Sequence, residues 1–399
     1  MAKIINQEMN VVYTAPNRAH HYPYALALHK AKILYKFVSG LSRFNVLSKS
    51  EELGNKIYRA DFIQNFYLAS NKFKLPTVIS DELAYLAKLE QDFACRRFMS
   101  NADIFLFYNG SGLNSCKVIQ KNGGIGIVEA VNSHVEFQED ILKDEYDKLK
   151  LPWIPFHKKE KARRMEEYSQ ADFILVPSEF SKKSFLEKGF LKEKLIKVPY
   201  GFKSISQETV ENLRSELKIS SDEFLVLYVG TISVRKGIRY LIEAFKKLNH
   251  HKKKLVLVGP IANPSGLDDI SLTADIIFTG ALKGNELEKF YMAASVFCLP
   301  SIEEGFGLVL GEALSYGVPM ISTSNTGALD IITDGIEGFI VPPQDSRSIC
   351  AKLQLLADDK HIRERMKHAC YNKAVNLAGW AETGELLSNK LISVYERNI

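Results

Sequence analysis

The sequence predicts an α/β protein made of two doubly wound halves, each a parallel sheet covered by helices. Three observations predict it. At 399 residues the chain is long enough to bury two separate cores. Its second half alternates short apolar runs with longer helical ones, the pattern of a parallel sheet. Small residues also stand directly after the apolar runs, at Gly230, Gly259, Gly280 and Ser301, where sheets of this kind bind ligands.

In chain order, residues 10–14 read as a buried strand, and Ala15-Pro16-Asn17-Arg18 as a loop. Residues 24–38 form a long run without Gly or Pro, which predicts a helix. Strands are predicted over 104–108, 125–131 and 173–176, the last followed by Pro177-Ser178 and a helix from Glu179. A short strand and turn at Lys197-Val198-Pro199-Tyr200-Gly201 precede a helical segment over 207–217, and the domain boundary is placed there. Residues 1–200 would then form the first domain and 201–379 the second. The amphipathic segment 380–399 would cross back to the first. Within the second domain, 224–229 is apolar throughout, as befits a strand covered on both faces. Helix 238–248, strands 255–258 and 276–278, helix 285–294, strand 296–299, a helix from Leu308, strand 319–322 and helices from Ser346 follow.

With 46% hydrophobic and 25% charged residues, the composition is that of an ordinary globular chain. The formal charge of +5 is unevenly spread: residues 1–50 hold seven lysines and arginines against Glu8 alone, a local +6. This asymmetry points to an anionic partner, either a membrane surface or a phosphorylated acceptor. The segment 24–43 has two readings: it lies on an anionic bilayer with Lys30, Lys32 and Lys36 at the headgroups, or Leu26, Ile33, Leu34 and Phe37 are core and the lysines are simply exposed. A second basic run, 158–164, comes with no recognition motif or stacking aromatics, so nucleic acid is not an expected partner. Five scattered cysteines without a Cys-x-x-Cys pair indicate neither a disulfide framework nor a zinc site. The polar N-terminus and the lack of an apolar run near ~20 residues predict a cytoplasmic protein, peripheral at most on the inner face of the plasma membrane.

The most informative stretch is Glu304-Gly305-Phe306-Gly307-Leu308-Val309-Leu310-Gly311-Glu312. Its glycines let backbone amides approach a ligand, and the helix starting at Leu308 offers unpaired N–H groups to an anion. Glu312, among Leu310, Ala313 and Leu314, needs hydrogen-bonding partners that sugar hydroxyls can supply. Upstream, Gly230-Thr231-Ile232-Ser233-Val234-Arg235-Lys236-Gly237 joins a strand to a helix and sets two cations beside the same region. Such cations stabilise the negative charge that grows on a departing diphosphate more than they stabilise the ground state. No Asp-x-Asp motif occurs, so the usual carboxylate clip for a metal–diphosphate complex is missing, and neither metal nor other cofactor is expected.

The window from Pro300 to Gly307, with Glu312-Ala313-Leu314 and Gly317-Val318-Pro319, resembles the Glu-x7-Glu signature of family 4, the retaining glycosyltransferases of GT-B fold. The likeness is strong from about Asp172 onward. It implies two Rossmann-like domains facing across a cleft, a nucleotide-sugar donor, and a glycan or lipid-linked acceptor in cell-surface polysaccharide or lipopolysaccharide assembly. By resemblance, Glu312 takes the ribose hydroxyls, Glu304 lies near the transferred sugar, and the amides of Gly305, Phe306, Gly307 and Leu308 hold the donor. Arg235 and Lys236 bind the diphosphate beside Gly230, and Leu282 reads the base. His134, after the strand at 125–131, is expected in the cleft near the sugar. The pattern differs at Thr231, where many members have Arg, and at residues 15–18, which lack the family's paired glycines. Asn109-Gly110-Ser111-Gly112 is a turn suited to face a phosphate or sugar. Two other functions fit less well: an epimerase of the same fold and a non-catalytic nucleotide-sugar-binding subunit.

Overall fold

The computed structural model describes residues 9–202, 213–217, 219–220, 222–377 and 379–398. The expected helix over 207–217 falls mostly outside them. Its end is seen as the short helix introduced as α8 below.

The first half runs β1 (Val11–Ala15), α1 (His21–Lys30), β2 (Leu34–Ser39), β3 (Ile57–Arg59), α2 (Phe62–Lys72), α3 (Thr77–Cys95), β4 (Ile104–Tyr108), α4 (Leu113–Lys121), β5 (Ile125–Glu129), α5 (Val135–Lys148), α6 (Lys158–Gln170), β6 (Phe173–Val176), α7 (Glu179–Glu187) and β7 (Leu195–Lys197). Its seven strands pair in the order β3-β2-β1-β4-β5-β6-β7, all parallel. The second half runs α8 (Leu213–Glu216), β8 (Phe224–Val229), α9 (Ile238–Lys247), β9 (Lys253–Val258), β10 (Ile276–Gly280), α10 (Asn285–Ala293), β11 (Val296–Leu299), α11 (Leu308–Ser315), β12 (Met320–Thr323), α12 (Ala328–Ile331), β13 (Gly338–Val341), α13 (Ser346–Asp358), α14 (Lys360–Asn376) and α15 (Trp380–Asn398). Its sheet is parallel too, ordered β10-β9-β8-β11-β12-β13.

Each sheet reverses its winding once, between β1 and β4 and between β8 and β11. At such a reversal neighbouring crossovers diverge and leave a crevice at the strands' carboxyl ends. The central strands β1 and β8 are buried at every position, which is why they read as unbroken apolar runs. Two parallel doubly wound sheets define the GT-B fold class. Helix α15 packs along α1, where Gly384 meets Ala27 and Trp380 meets Tyr24 edge-on.

The expected helix over 24–38 is two elements. Helix α1 stops at Lys30, and β2 begins at Leu34. The break is a helix-ending turn in which Lys32 takes φ +61, Ile33 N–H donates to Leu28 O (3.0 Å) and Lys32 N–H to His29 O (2.9 Å). Glycine normally marks that position, and lysine there hides it. No single helix therefore covers 24–38, and the core reading of that segment fits the structure: Ile33, Leu34 and Phe37 are buried, and Lys36 Nζ donates to Asn55 O (2.7 Å).

Candidate functional site

Loops from the carboxyl ends of β8 and β11 meet at the cleft edge of the second half. Gly307 has φ +82 and caps α11, a turn that a β-carbon would strain and crowd against Leu299. At Gly305 a β-carbon would fall 2.1 Å from Val131 O of the first half, so only glycine allows the approach. The Gly305 carbonyl accepts from Ser178 Oγ (2.6 Å) and Ser181 Oγ (3.1 Å) at the start of α7. Glu304 N–H donates to Asn325 O (2.9 Å), and Gly327 N–H to Phe306 O (2.8 Å). The loop carrying the motif is thus pinned from both halves.

Arg235 and Lys236 sit on a single turn between β8 and α9. Lys236 Nζ pairs with Glu304 Oε2, and both side chains are largely buried. Burial, with Arg235 alongside, pushes the Lys236 amine down to about 7. Arg235 lies 3.6 Å from Glu304, but its hydrogen bonds go to Glu303, at the backbone oxygen (3.1 Å) and Oε2 (3.2 Å). Glu312, half-buried on α11, accepts from Tyr291 O–H (2.8 Å), and burial raises its carboxyl above the usual range. Gly230 directly follows β8, and Leu282 lies half-buried just past the edge strand β10. Glu304, Lys236, Gly307 and the start of α11 therefore converge. An anion at the α11 N-terminus would meet a cation and amide dipoles together.

His134 is not in the cleft. It caps α5, its Nδ1 accepting from Glu136 N–H (3.3 Å), and its fully buried ring packs on Tyr168, Phe185 and Phe190 at 5.1 to 5.6 Å. Burial, with Lys188 nearby, pushes it down to about 4. A helix cap and a strand-end ligand look alike in sequence, and here the cap wins. The unfolded chain binds a proton at this position below pH ~6.5 that the fold refuses, so stability falls as pH drops from there towards 4. His134→Asn keeps the cap and removes the titration. Its denaturant midpoint is expected to fall less between pH 6.5 and 4 than that of the wild type, which retains the acid penalty.

The turn at residues 109–112 is also occupied from within. Glu167 of α6 accepts from the amides of Gly110, Gly112 and Leu113, and burial pushes its carboxyl up to about 7.

Two features escaped the sequence reading. Glu303 is fully buried and accepts from Ser133 Oγ (2.7 Å), Ser133 N–H (3.3 Å) and Gln138 Nε2 (2.7 Å) of the first half as well as Arg235 of the second. It fastens the motif loop across the two halves, and its neighbour Glu304 concealed it. The other is a buried cluster at the carboxyl ends of β1 and β5. Glu129 accepts from His20 Nε2 (2.6 Å) and Tyr13 O–H (2.9 Å), and the Tyr13 oxygen lies 2.6 Å from His21 Nδ1. Burial alone would raise the Glu129 carboxyl, but the two histidines hold it well below the usual range. Burial and the adjacent His21 push His20 down to about 4. One ligating atom from each of His20, His21 and Glu129 lies within 4.8 Å of the others, a spacing that suits a metal ion. Both carboxylate oxygens are already held by donors of the cluster, so hydrogen bonds close the group without an ion. His20 stacks on Tyr200 (4.0 Å), whose ring meets Phe306 edge-on (5.3 Å), which ties the cluster to the motif loop. The adjacent pair His20-His21 after the first strand was the available signal.

Residues 209–373 match the family of glycosyl transferases group 1. The chain is similar to the capsular polysaccharide biosynthesis glycosyltransferase CapM of Staphylococcus aureus, 34% identical over 38% of this chain and 41% of that one. It is also similar to the lipopolysaccharide 1,2-N-acetylglucosaminetransferase of Salmonella typhimurium, 32% identical over 50% and 58%. The chain spans about half the length of the curated relatives it matches. Among solved structures, Anabaena HepE in complex with UDP superposes with a TM-score of 0.67 at 15% identity, over 96% of this chain and 100% of that one. WaaG, a glycosyltransferase involved in lipopolysaccharide biosynthesis, gives 0.61 at 14% over 95% and 98%. At these identities the superpositions establish the GT-B fold.

Proposed function

We propose that the protein is a retaining glycosyltransferase that moves a sugar from a nucleotide-sugar donor to an acceptor hydroxyl in cell-surface polysaccharide or lipid-linked glycan assembly. The observation that carries this reading is the convergence of Lys236, Glu304 and the α11 N-terminus at one edge of the cleft. The match of the donor half to group 1 glycosyl transferases supports it. In this reading residues 201–379 bind the donor, while residues 1–200 with the returning helix hold the acceptor.

The diphosphate lies against the α11 N-terminus, Gly230 and Lys236, and Glu312 accepts from the ribose. As the bond between the anomeric carbon and the diphosphate oxygen breaks, charge grows on the diphosphate beside Lys236. The acceptor oxygen attacks from the same face, and its proton passes to the leaving phosphate. Arg235 acts through Glu303, holding the motif loop. Protein cations and a helix dipole supply the electrostatics that a metal would otherwise provide.

The test offers UDP, GDP, dTDP and CMP sugars in a thermal-shift screen, then follows nucleotide release and product anomer by NMR, with and without chelator. Nucleotide released only with acceptor, a product of unchanged anomeric configuration and indifference to chelator are expected. Epimer formation without acceptor would point to an epimerase, and inversion or loss of activity in chelator would overturn the mechanism. Glu312→Gln is expected to weaken nucleotide binding about tenfold by titration calorimetry, because a neutral amide accepts less strongly than a carboxylate. Unchanged affinity would remove Glu312 from the ribose site.

A further inference from the structure

Among the described residues, one side chain holds the Glu312 carboxylate: Tyr291 of α10, whose O–H donates to Oε2 at 2.8 Å. Glu312 stands on the open side of α11. Within that helix only Leu308, Val309 and Glu312 escape burial, and spacings of three and four set them in one stripe. The carboxylate thus lies four residues, about 6 Å, along the axis from Leu308, where the diphosphate would sit. Tyr291 occupies Oε2, whereas Oε1 meets no donor among the described residues. A carboxylate oxygen left without a donor is ready to accept from a ligand hydroxyl.

The tyrosine itself is fixed from several directions. Its ring is 1% exposed and lies parallel to that of Tyr316, directly after α11, at 5.3 Å and 4° between planes. On another side it meets Phe297 of β11 at 5.9 Å. The Tyr316 hydroxyl in turn bonds to Glu288, one turn before Tyr291 on α10. A ring enclosed in this way keeps one rotamer, so its hydroxyl stays at one place. A buried phenol needs an acceptor, and a backbone carbonyl would serve for packing alone. Here the acceptor is instead the only ionisable side chain on α11. A hydrogen bond to a carboxylate is stronger than one to a neutral group, and it favours the ionised form. Burial raises the Glu312 carboxyl, and the bond from Tyr291 opposes that rise.

We propose that Tyr291 is the positioning residue of the nucleoside site: it fixes the Glu312 carboxylate in one orientation and leaves Oε1 to accept from the ribose hydroxyls. The inference rests on the reading of Glu312 as the ribose acceptor and deepens it. Tyr291 is buried and acts only through Glu312. It therefore sets how strongly the protein prefers a nucleotide with ribose hydroxyls to one without them.

Titration calorimetry with UDP, GDP, dTDP and CMP identifies the nucleotide that the wild type binds best. The same nucleotide lacking its ribose hydroxyls is the control. Tyr291→Phe keeps the ring and its packing, so its unfolding midpoint should stay near that of the wild type. It should bind the nucleotide about fivefold more weakly, the usual effect of losing one hydrogen bond. The control should bind the wild type and Tyr291→Phe equally, because it offers Glu312 no hydroxyl. Tyr291→Phe combined with Glu312→Gln should bind no more weakly than Glu312→Gln alone, since one change acts through the other. An equal loss for nucleotide and control, or a full added loss in the double variant, would place the effect in the fold and overturn the proposal. Wild-type affinity in Tyr291→Phe would overturn it as well. Wild-type affinity in Glu312→Gln, or a wild type that binds none of the four nucleotides, would overturn the ribose assignment on which it rests.

Discussion

Lys236→Ala is expected to lower kcat about a hundred- to a thousandfold, the usual effect of losing one electrostatic contact to developing charge, or about 3–4 kcal/mol. The side chain is buried beside Glu304, where the low local dielectric strengthens its interaction with a departing diphosphate. Nucleotide affinity should change less than turnover, because the charge on the diphosphate is greatest as the bond breaks. Calorimetry gives an independent readout. With no nucleotide bound, burial holds the amine near 7, and a bound diphosphate would raise it again. Nucleotide binding at pH ~8 should therefore take up close to one proton, seen as a dependence of the heat on buffer ionisation. The variant should take up none. Near-normal kcat with unchanged proton uptake would remove Lys236 from the diphosphate site.

Glu303→Ala is expected to destabilise the protein by about 3–5 kcal/mol, the range for removing one partner of a buried ion pair. Four donors from Ser133, Gln138 and Arg235 lose their acceptor, and Arg235 keeps only the more distant carboxylate of Glu304 at 3.6 Å and the backbone oxygen at position 303. Three of the lost bonds join the two halves, so the unfolding midpoint should fall together with the cohesion between them. Glu303→Gln keeps one carbonyl acceptor and should lie between the two. Activity should fall in both variants, because the motif loop loses its anchor to the first half. Wild-type unfolding and kinetics in Glu303→Ala would contradict this role.

The second half was legible because its local and tertiary signals agree. The strands at 224–229 and 296–299 fall on the predicted apolar runs, and the one predicted over 276–278 runs on to Gly280. The first half was less so. Lys32 closes α1 in a left-handed turn without glycine, so one run of residues concealed a helix and a strand. The hairpin over 62–95 drew no attention because its eight exposed large apolar residues read, in one dimension, like core.

The sequence by itself determined the α/β class, the strand-end loops and the pairing of Glu304 and Glu312 on one motif, since these depend on neighbours a few positions apart. Only the tertiary structure decided which polar groups face the cleft. His134 became a core cap because Tyr168, Phe185 and Phe190 close around it, and Glu303 became the bridge because Ser133 and Gln138, 170 and 165 residues away, supply its donors. Burial sets both outcomes, and burial arises from contacts between segments far apart in the chain, which local spacing does not encode.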